Sequence, residues 1–378
     1  MRLASLRLRN VGVFADTTIR LDGSAPAIPN ANGHADGDDD GAAEPMAPRP
    51  VTVLFGADGI GKTTLLTALA VTRPGYTLPP SPYPRPALAT PTASPIGPAE
   101  PTFVVSEWML GEDDPERPHP LVVASPSAVL DNEATEAAGA RRREQGLFDR
   151  RAQGEGGFVF VGFSGARWFS RTANMLSTPE RSVLRYDVRH AATFDDPTRA
   201  DLTRETKQVL AYAGIAKALA AQRAEYIHLE RFDEAVREVV DVMLEPFGFT
   251  YAGVSPLSLE PEARDRAGRV VPFDALPRAA RHLIAFGALS LRALFAAYPR
   301  SDDPRECEGV VAIDDVESQQ DPAMLRGLID LLRRALPNVQ WILTTASTQL
   351  AMACAPGEVI ALRRDESARI EISEGILH

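Results

Sequence analysis

Two stretches of this sequence place glycines, a lysine, hydroxyl groups and paired carboxylates at spacings that suit phosphate chemistry. The first, GADGIGKTT, fits the pattern G-x-x-x-x-G-K-[ST] between an apolar strand pattern and a helical pattern. Glycines let backbone N–H groups curl round phosphate oxygens, and a helix N-terminus adds a positive dipole. We expect Lys62 to reach the β- and γ-phosphates of a nucleotide, and Thr63 to offer its hydroxyl to Mg²⁺. The predicted nucleotide-binding residues are Gly56, Ala57, Asp58, Gly59, Ile60, Gly61, Lys62, Thr63 and Thr64.

The second stretch, GVVAIDDVESQQDP, ends an apolar run with two adjacent acids, Asp314 and Asp315. Like charges side by side raise one carboxyl pKa, so the pair needs a cation nearby, and a magnesium nucleotide is the first candidate. In phosphoryl-transfer sites a strand-end aspartate faces the metal, and the next acid polarises the attacking water. We therefore expect Asp314 to face Mg²⁺ and Asp315 to act as the base, on a strand parallel to and beside the phosphate-loop strand. The alternative, two acids on a surface turn, fits poorly with so apolar a strand.

The hydrophobic pattern around these stretches predicts an α/β fold with a central sheet. Residues 1–21 alternate apolar and polar positions as an antiparallel strand pair, and VTVLF before the glycine loop is a short buried strand. In the helix after the loop, Leu65, Leu66 and Leu69 share the inward face. Further strands are predicted in TFVVSEWML, GGFVFVGF, VQWILTT, VIALRR and ARIEIS, and an amphipathic helix is predicted over 324–336.

A helical lobe is predicted between the two chemical stretches, from about 198 to 298. It begins with an Ala-rich helix over 202–222, continues with a second helix that has apolar residues at three-to-four spacing, and includes a hairpin-like segment. A long apolar helix over 282–298 completes the lobe.

Three segments are predicted to lie outside the core. Residues 23–50 are rich in Gly, Ala, Pro and Asp and indicate a flexible surface loop, whereas the prolines of 73–101 indicate an extended connector. Residues 131–153 change from acidic to basic and predict a solvated helix. For its arginines at 141–143 and 150–151, a solvated helix face is favoured over contact with DNA phosphates, because no aromatic residues are interleaved for base stacking.

Composition and isolated residues exclude several other kinds of site. The formal charge of 40 − 51 = −11 argues against a surface built to coat nucleic acid. Two cysteines, Cys307 and Cys354, are too few for a disulfide framework, and His228 and His282 lack partners at metal-ligand spacing. Ser164 lies in GFSGA, which does not fit a G-x-S-x-G nucleophile turn. With no apolar leader and no run of about 18 apolar residues, a cytoplasmic location without a membrane span is predicted.

The order of these parts resembles an ABC-type ATPase head of the RecF/SMC/OLD class, a P-loop NTPase. GADGIGKTT is similar to the Walker A motif of that class, VVAIDDVESQQDP to its Walker B motif with the following D-loop at Asp321, and residues 3–22 to its opening hairpin. VGFSGARWFSR is similar to a segment of stand-alone members, with Arg167 as its basic residue beside Trp168. The resemblance implies one domain, 1–378, of α/β P-loop NTPase type with an N-terminal antiparallel β-subdomain and a helical lobe. Its parts are 1–72, with the loop 23–50; the insertion 73–197; the lobe 198–298; and the Walker B part 299–378.

Two motifs of the class are altered in this sequence. Where the class has an LSGGQ-like signature from a partner head, this chain has ALPRAARHLIAFG, with Leu276 kept and Pro277 at the serine position. Arg278 or Ala279 replaces glycine there, and the charge of Arg278 or Arg281 offers a different phosphate contact. The histidine expected after WILTT is replaced by Ala346, which has no hydrogen-bonding side chain. No glutamine stands at a Q-loop position.

The resemblance and these departures together imply a regulatory or sensor ATPase with slow Mg-dependent ATP hydrolysis. The class implies DNA repair or anti-phage defence, control of a separately encoded effector protein, and homo- or hetero-oligomers; DNA as a ligand stays open. An alternative is a catalytically silent, nucleotide-gated scaffold that binds a partner protein. A third hypothesis, a small-molecule kinase, fits less well, because some 250 residues separate the two chemical stretches.

Overall fold

The structure is a computed structural model that describes residues 2–21, 50–72, 102–109, 121–125, 159–174, 200–220, 227–298, 301–355, 357–366 and 369–375. The predicted surface loop up to residue 49, the proline-rich connector and the charged helix over 131–153 lie outside these residues.

The described residues include thirteen strands and six α-helices. The strands are β1 (Arg2–Val11), β2 (Phe14–Arg20), β3 (Val51–Phe55), β4 (Phe103–Met109), β5 (Leu121–Ser125), β6 (Phe160–Phe163), β7 (Phe249–Val254), β8 (Pro261–Asp265), β9 (Val270–Pro272), β10 (Gly309–Ile313), β11 (Val339–Thr345), β12 (Val359–Arg364) and β13 (Ile370–Glu374). The helices are α1 (Lys62–Val71), α2 (Thr203–Ala220), α3 (Ile227–Leu244), α4 (Arg278–Ala297), α5 (Leu328–Ala335) and α6 (Thr348–Ala351).

A six-stranded sheet in the order β13-β12-β3-β11-β10-β6 forms the centre of the fold. Strands β12, β3, β11, β10 and β6 are mutually parallel, and β13 closes one edge antiparallel to β12. The mixed α/β class predicted from the sequence is therefore confirmed. Residues on β3 and β10 alternate between the two apolar layers: Val53 and Val311 face one layer, and Leu54 and Val310 face the other.

The expectation that the strand before Asp314 lies beside the phosphate-loop strand is wrong, because β11 lies between them. β11 pairs with β3 on one side and with β10 on the other. All seven residues of β11 are buried, as suits a strand covered on both faces and both edges. The two chemical stretches still meet, because the carboxyl ends of parallel strands lie at one edge of the sheet.

The N-terminal strands form a separate antiparallel sheet in the order β2-β1-β4-β5. The predicted β1–β2 pair is confirmed, with Leu6 opposite Ile19, whereas β5 was not predicted from the sequence. The buried side of this sheet packs with Leu66 and Leu69 of α1 against one face of the central sheet. The side chain of Gln340 joins the two sheets, because its amide bonds the backbone N–H and C=O of Leu3 at 2.7 and 2.9 Å.

The helical lobe covers the opposite face of the central sheet. Helices α2, α3 and α4 share one apolar core with the central strands. The lobe also holds a three-stranded sheet, β7-β8-β9, of which only the β8–β9 part corresponds to the predicted hairpin. Helix α4 begins at Arg278, one turn before the predicted start, because Pro277 takes the N-cap position and Pro is favourable at a helix entry.

Two other features complete the fold. The helix predicted over 324–336 begins as a 3-10 turn over Pro322–Gly327 and continues as α5, with the Asp321 carboxylate accepting from the N–H of Ala323 at its start. Among the described residues, only α4 has the length and apolar composition of a membrane-spanning helix, and 72% of its most apolar stretch is buried inside this fold.

Candidate functional site

The glycine loop between β3 and α1 is held against the turn that joins β1 to β2. Gly61 has φ 103° at the N-cap of α1, and a Cβ there would lie 2.6 Å from a methyl group of Val13. Gly12 in the facing turn has φ 56°, and a Cβ there would lie 2.9 Å from a methyl group of Thr64. The opening hairpin therefore forms one wall of the loop, and only glycine fits at either contact.

Lys62 curls back over its own loop. Its Nζ donates hydrogen bonds to the carbonyls of Gly56 and Ala57 at 2.8 and 3.1 Å, and Asp58 lies 3.8 Å away. The lysine side chain is 6% exposed, although Asp58 is almost fully in water. The ammonium group and the N-terminus of α1 thus place positive charge at the same loop, as a bound phosphate requires.

Asp314 lies at the carboxyl end of β10 and joins the two chemical stretches. Its Oδ2 accepts from the hydroxyl of Thr63 at 2.7 Å, and its Oδ1 accepts from the hydroxyl of Thr344 at 2.7 Å. The side chain is 3% exposed, so both carboxylate oxygens depend on these partners. The structure therefore brings together the two residues that the sequence predicts as metal ligands.

Asp315 follows in a left-handed backbone conformation, with φ 43°. Its N–H donates to the hydroxyl of Thr344 at 2.8 Å. Partial burial raises the pKa of this carboxyl above its usual value, and the nearby charges of Asp314 and Glu317 raise it further, while Lys62 lowers it. A left-handed non-glycine residue costs about 1–2 kcal/mol, and such strain is typical of functional sites.

The loop after β6 approaches both acids. A Cβ on Gly165 would lie 3.1 Å from Oδ2 of Asp315 and 3.4 Å from Oδ2 of Asp314. Ser164 in this loop uses its hydroxyl to accept from the N–H of Ala166 at 3.2 Å, so it serves the local turn. The absence of a side chain at Gly165 leaves room beside the two carboxylates.

Arg167 is buried under the acidic turn, and its two terminal nitrogens donate only to backbone carbonyls. It is 2% exposed, so it does not offer a surface contact to a partner protein. The neighbouring Trp168 is 49% exposed. The carbonyl acceptors belong to Ser164, Asp314, Asp315, Val316 and Ser318.

The altered motifs lie at the rim of the same site. Ala346 presents no polar side chain, and its N–H donates to Oε1 of Glu317 at 2.7 Å. Arg278 in the first turn of α4 donates to the side-chain oxygen of Gln319 at 2.7 Å. Leu276 is buried, and the Arg281 guanidinium lies over the ring of Phe169 at 5.3 Å. These arginines are therefore next to the acidic turn without contacting either carboxylate of the Asp pair in the bonds described.

The remaining candidates from the sequence, two histidines and two cysteines, have structural roles. His282 is fully buried, with Nδ1 at 2.8 Å from the carbonyl of Arg278, and His228 stacks on Phe295 at 6.1 Å. Neither histidine belongs to a metal-ligand cluster within the described residues. Cys307 and Cys354 form no disulfide within the described residues, and burial raises the pKa of the Cys354 thiol to about 11, so this thiol stays protonated.

Two residues of the site were missed in the sequence. Thr344 contacts both Asp314 and Asp315, and the only sequence feature that could have indicated this is the pair of threonines that ends β11. Arg364, at the end of β12, donates to the carbonyl of Gly59 at 3.1 Å and reaches the glycine loop from the C-terminal strand pair. No local pattern predicts this contact, because it depends on β12 pairing with β3.

The donor set fits a magnesium nucleotide. Hydroxyl and carboxylate oxygens are the ligands that Mg²⁺ prefers, and those of Thr63 and Asp314 lie 2.7 Å apart beside the glycine loop. Within the described residues, no three Asp, Glu, His or Cys side chains form a metal site by themselves. A divalent ion at this place would therefore take its further ligands from phosphate oxygens and water, as Mg²⁺ does in phosphoryl-transfer sites.

Comparison with known proteins gives low-similarity matches to solved structures. No family model matches the chain, and no curated protein matches it. An SMC head domain from Thermotoga maritima aligns over 100% of both chains with 13% identity and a TM-score of 0.45. An SMC head bound to the C-terminal winged-helix domain of ScpA aligns over 99% of this chain and 98% of that one, with 13% identity and a TM-score of 0.45. An SMC head with an extended coiled coil, bound to the C-terminal domain of ScpA from Pyrococcus furiosus, gives 14% identity, 99% and 96% coverage, and a TM-score of 0.42. At such identities and scores, these likenesses assign no function to the chain.

Proposed function

We propose that this protein binds ATP with Mg²⁺ at the glycine loop and hydrolyses it slowly. The observation that carries the proposal is the contact between Thr63 and Asp314, whose side chains meet at 2.7 Å across 251 residues of sequence. A phosphate-binding loop and an acidic strand end that converge in this way provide the minimum set of groups for phosphoryl transfer to water.

Each residue has a separate role in the proposed reaction. Lys62 and the backbone of residues 56–64 bind the phosphate chain, and Thr63 and Asp314 would hold the metal ion. Mg²⁺, when bound, supplies charge neutralisation at the β- and γ-phosphates. Asp315 orients a water molecule and accepts its proton, and its raised pKa makes the carboxylate a better base.

Slow turnover is proposed because the residues at positions 277 and 346 have no side chain that would stabilise the transition state. Ala346 offers only its backbone N–H, which already donates to the Glu317 carboxylate. Pro277 has neither an N–H nor a hydroxyl at the start of α4. Loss of one preorganised donor typically costs about 3–4 kcal/mol, a rate loss on the order of hundredfold or more.

The proposed biological role is regulatory. By its resemblance to RecF/SMC/OLD heads, the chain would act in the cytoplasm as a sensor ATPase in DNA repair or anti-phage defence. The nucleotide state would control a separately encoded effector protein, and assembly into oligomers would accompany this control. Titration with duplex DNA at several salt concentrations tests separately whether DNA binding belongs to that role.

The experiment is phosphate release from Mg-ATP by the purified chain, with nucleotide affinity measured in the same samples. Lys62→Ala should weaken ATP binding, whereas Asp315→Asn should bind ATP and lose turnover. Asp330→Asn is the matched control, because Asp330 is an exposed acid of α5 that pairs only with Arg333 among the ion pairs described. Equal turnover in Asp315→Asn and the wild type, or turnover of tens per second, would contradict the proposal.

A nucleotide-gated scaffold without turnover is the second candidate. The observation in its favour is again Ala346, because the first position after β11, next to the acids, carries no polar side chain that could contact a phosphate. Tight, Lys62-dependent ATP binding without phosphate release, in the presence and absence of duplex DNA, would favour this candidate over the ATPase.

A further inference from the structure

The acidic turn after β10 is built round a single buried guanidinium. Nη1 of Arg167 donates to the carbonyls of Ser164 and Asp314 at 3.0 and 2.6 Å. Nη2 donates to the carbonyls of Asp315, Val316 and Ser318 at 2.9, 3.2 and 3.0 Å. Four of the five acceptors therefore lie within five consecutive residues, and no carboxylate accepts from these two nitrogens in the bonds described.

The guanidinium cannot turn away from this position, because other side chains enclose it. The ring of Phe286 on α4 lies 5.1 Å from Cζ of Arg167, and Phe163 packs edge-on against Phe286 with the ring centroids 4.9 Å apart. His282, also on α4, lies one turn before Phe286 and is fully buried. The cation thus lies between a ring and the turn, and the fixed fork of arginine suits several carbonyls at once.

The guanidinium is also a permanent positive charge beside three acids. Burial lowers the pKa of Arg167 to about 10, and attraction to Asp314, Asp315 and Glu317 opposes this effect. The group remains charged at neutral pH. Its positive charge therefore offsets the repulsion between the two adjacent aspartates before any metal ion is present.

The turn needs such a clamp because its backbone is strained. Asp315 and Gln319 both have positive φ, 43° and 70°, although neither is glycine. Conformations of this kind persist only where the surroundings over-determine them. Arg167 holds a carbonyl at each strained residue: the carbonyl of Asp315 itself, and the carbonyl of Ser318, which directly precedes Gln319.

We propose that Arg167 is a positioning residue that holds the acidic turn so that the Asp315 carboxylate stays beside Asp314 at the glycine loop. The close approach of both carboxylates to Gly165, in the same segment as Arg167, supports this assignment. Arg167 touches neither phosphate nor water in the proposed reaction, and its effect on the rate runs through Asp315. The inference rests on the proposed ATPase function for its kinetic part only.

The test compares Arg167→Lys, which keeps a positive charge without the fork, with Arg167→Met, which removes both. Arg292→Lys is the matched control, because Arg292 is a part-buried arginine of α4 that contacts Glu205 of α2 at 3.5 Å. Hydrogen exchange of peptides covering residues 309–322 measures the turn directly, and exchange across β3 and β11 reports on the whole fold. ATP affinity and phosphate release are measured on the same preparations.

In Arg167→Lys we expect exchange in the 314–319 amides to rise at least about tenfold, with β3 and β11 unchanged. We expect kcat to fall at least about tenfold while the Kd for ATP stays within about threefold. Arg167→Met should show a larger effect on both, and if it does not fold, Arg167→Lys alone decides. The control should match the wild type in every measurement.

Each other outcome counts against the inference. Unchanged exchange in the turn, or equal acceleration throughout the fold, would show that Arg167 is an ordinary buried residue. Faster exchange with unchanged kcat would show that it holds the turn without positioning Asp315. If the wild type releases no phosphate, the ATPase proposal fails on its own, and the exchange measurement still decides whether Arg167 holds the turn.

Discussion

The hydroxyl of Thr63 donates a 2.7 Å hydrogen bond to Oδ2 of Asp314, although 251 residues separate the two in sequence. Thr63 lies in the first turn of α1, and Asp314 follows β10, so the contact spans two strand positions of the central sheet. Strand β11 lies between the two parent strands, and its Thr344 supports Asp314 from the other side. The site is therefore assembled across three neighbouring strands, at the edge where their carboxyl ends meet.

The Thr63 hydroxyl should affect nucleotide affinity only when Mg²⁺ is present. Thr63→Ala removes one proposed ligand and should weaken ATP binding about tenfold in Mg²⁺, with little change in excess EDTA. Thr63→Ser keeps the hydroxyl and should restore affinity. Thr67→Ala, one turn along α1, is the control, because the Thr67 hydroxyl has no hydrogen-bond partner among the described residues. An equal loss with and without Mg²⁺, measured by titration calorimetry, would refute the metal-ligand role.

Thr344 should matter for turnover more than its small side chain suggests. Its hydroxyl donates to Asp314 and accepts from the N–H of Asp315, so Thr344→Val leaves two buried polar groups without a partner. We expect kcat to fall on the order of tenfold or more, and stability to fall by about 1–3 kcal/mol.

Two variants control for shape and burial in that experiment. Thr344→Ser keeps the hydroxyl and should retain most activity. Thr52 on β3 is fully buried, and its hydroxyl has no hydrogen-bond partner in the part of the chain that the structure describes, so Thr52→Val should leave both kcat and stability nearly unchanged. A similar loss in the variants at positions 344 and 52, measured by phosphate release and urea unfolding, would assign the effect to packing alone.

Local sequence patterns were sufficient for the two halves of the candidate site but not for its supports. The glycine loop and the Asp pair are short motifs with fixed spacing, so Lys62, Thr63 and Asp314 could be predicted from neighbouring residues. The position of β11 between β3 and β10 could not, because the strand order depends on long-range pairing between apolar strands of similar composition. Arg167 was selected for its type, but four of its five backbone acceptors lie 147 to 151 residues away and leave no sequence signal.

Three glycines should separate two costs of adding a methyl group, the strain of a positive φ and a steric contact. Gly61 combines φ 103° with a contact of 2.6 Å, whereas Gly268 has φ 80° and no atom within 4 Å, and Gly327 has neither constraint. We expect Gly61→Ala to destabilise by more than about 3 kcal/mol, Gly268→Ala by about 1–2 and Gly327→Ala by less than about 0.5. Urea unfolding measures the series, and a Gly61 variant no worse than the Gly268 variant would contradict the tight contact with Val13.

His282 should make the fold less stable as the pH falls below about 6.5. Burial lowers the pKa of His282 to about 4, and the nearby cations Arg167 and Arg281 lower it further, while its bonds to the backbone at Arg278 and Arg167 oppose this. The folded protein thus keeps the ring neutral where the unfolded chain takes up a proton. The stabilisation is complete above the unfolded pKa of 6.5 and is lost as the pH falls toward 4. The free energy of unfolding should therefore fall by up to about 1.4 kcal/mol per pH unit in this window.

In His282→Asn this part of the slope of unfolding free energy against pH should disappear, whereas the control His228→Gln should keep it. Urea unfolding at several values between pH 7.5 and 4.5 gives the comparison. The same slope in the wild type and His282→Asn would show that other groups cause the acid sensitivity.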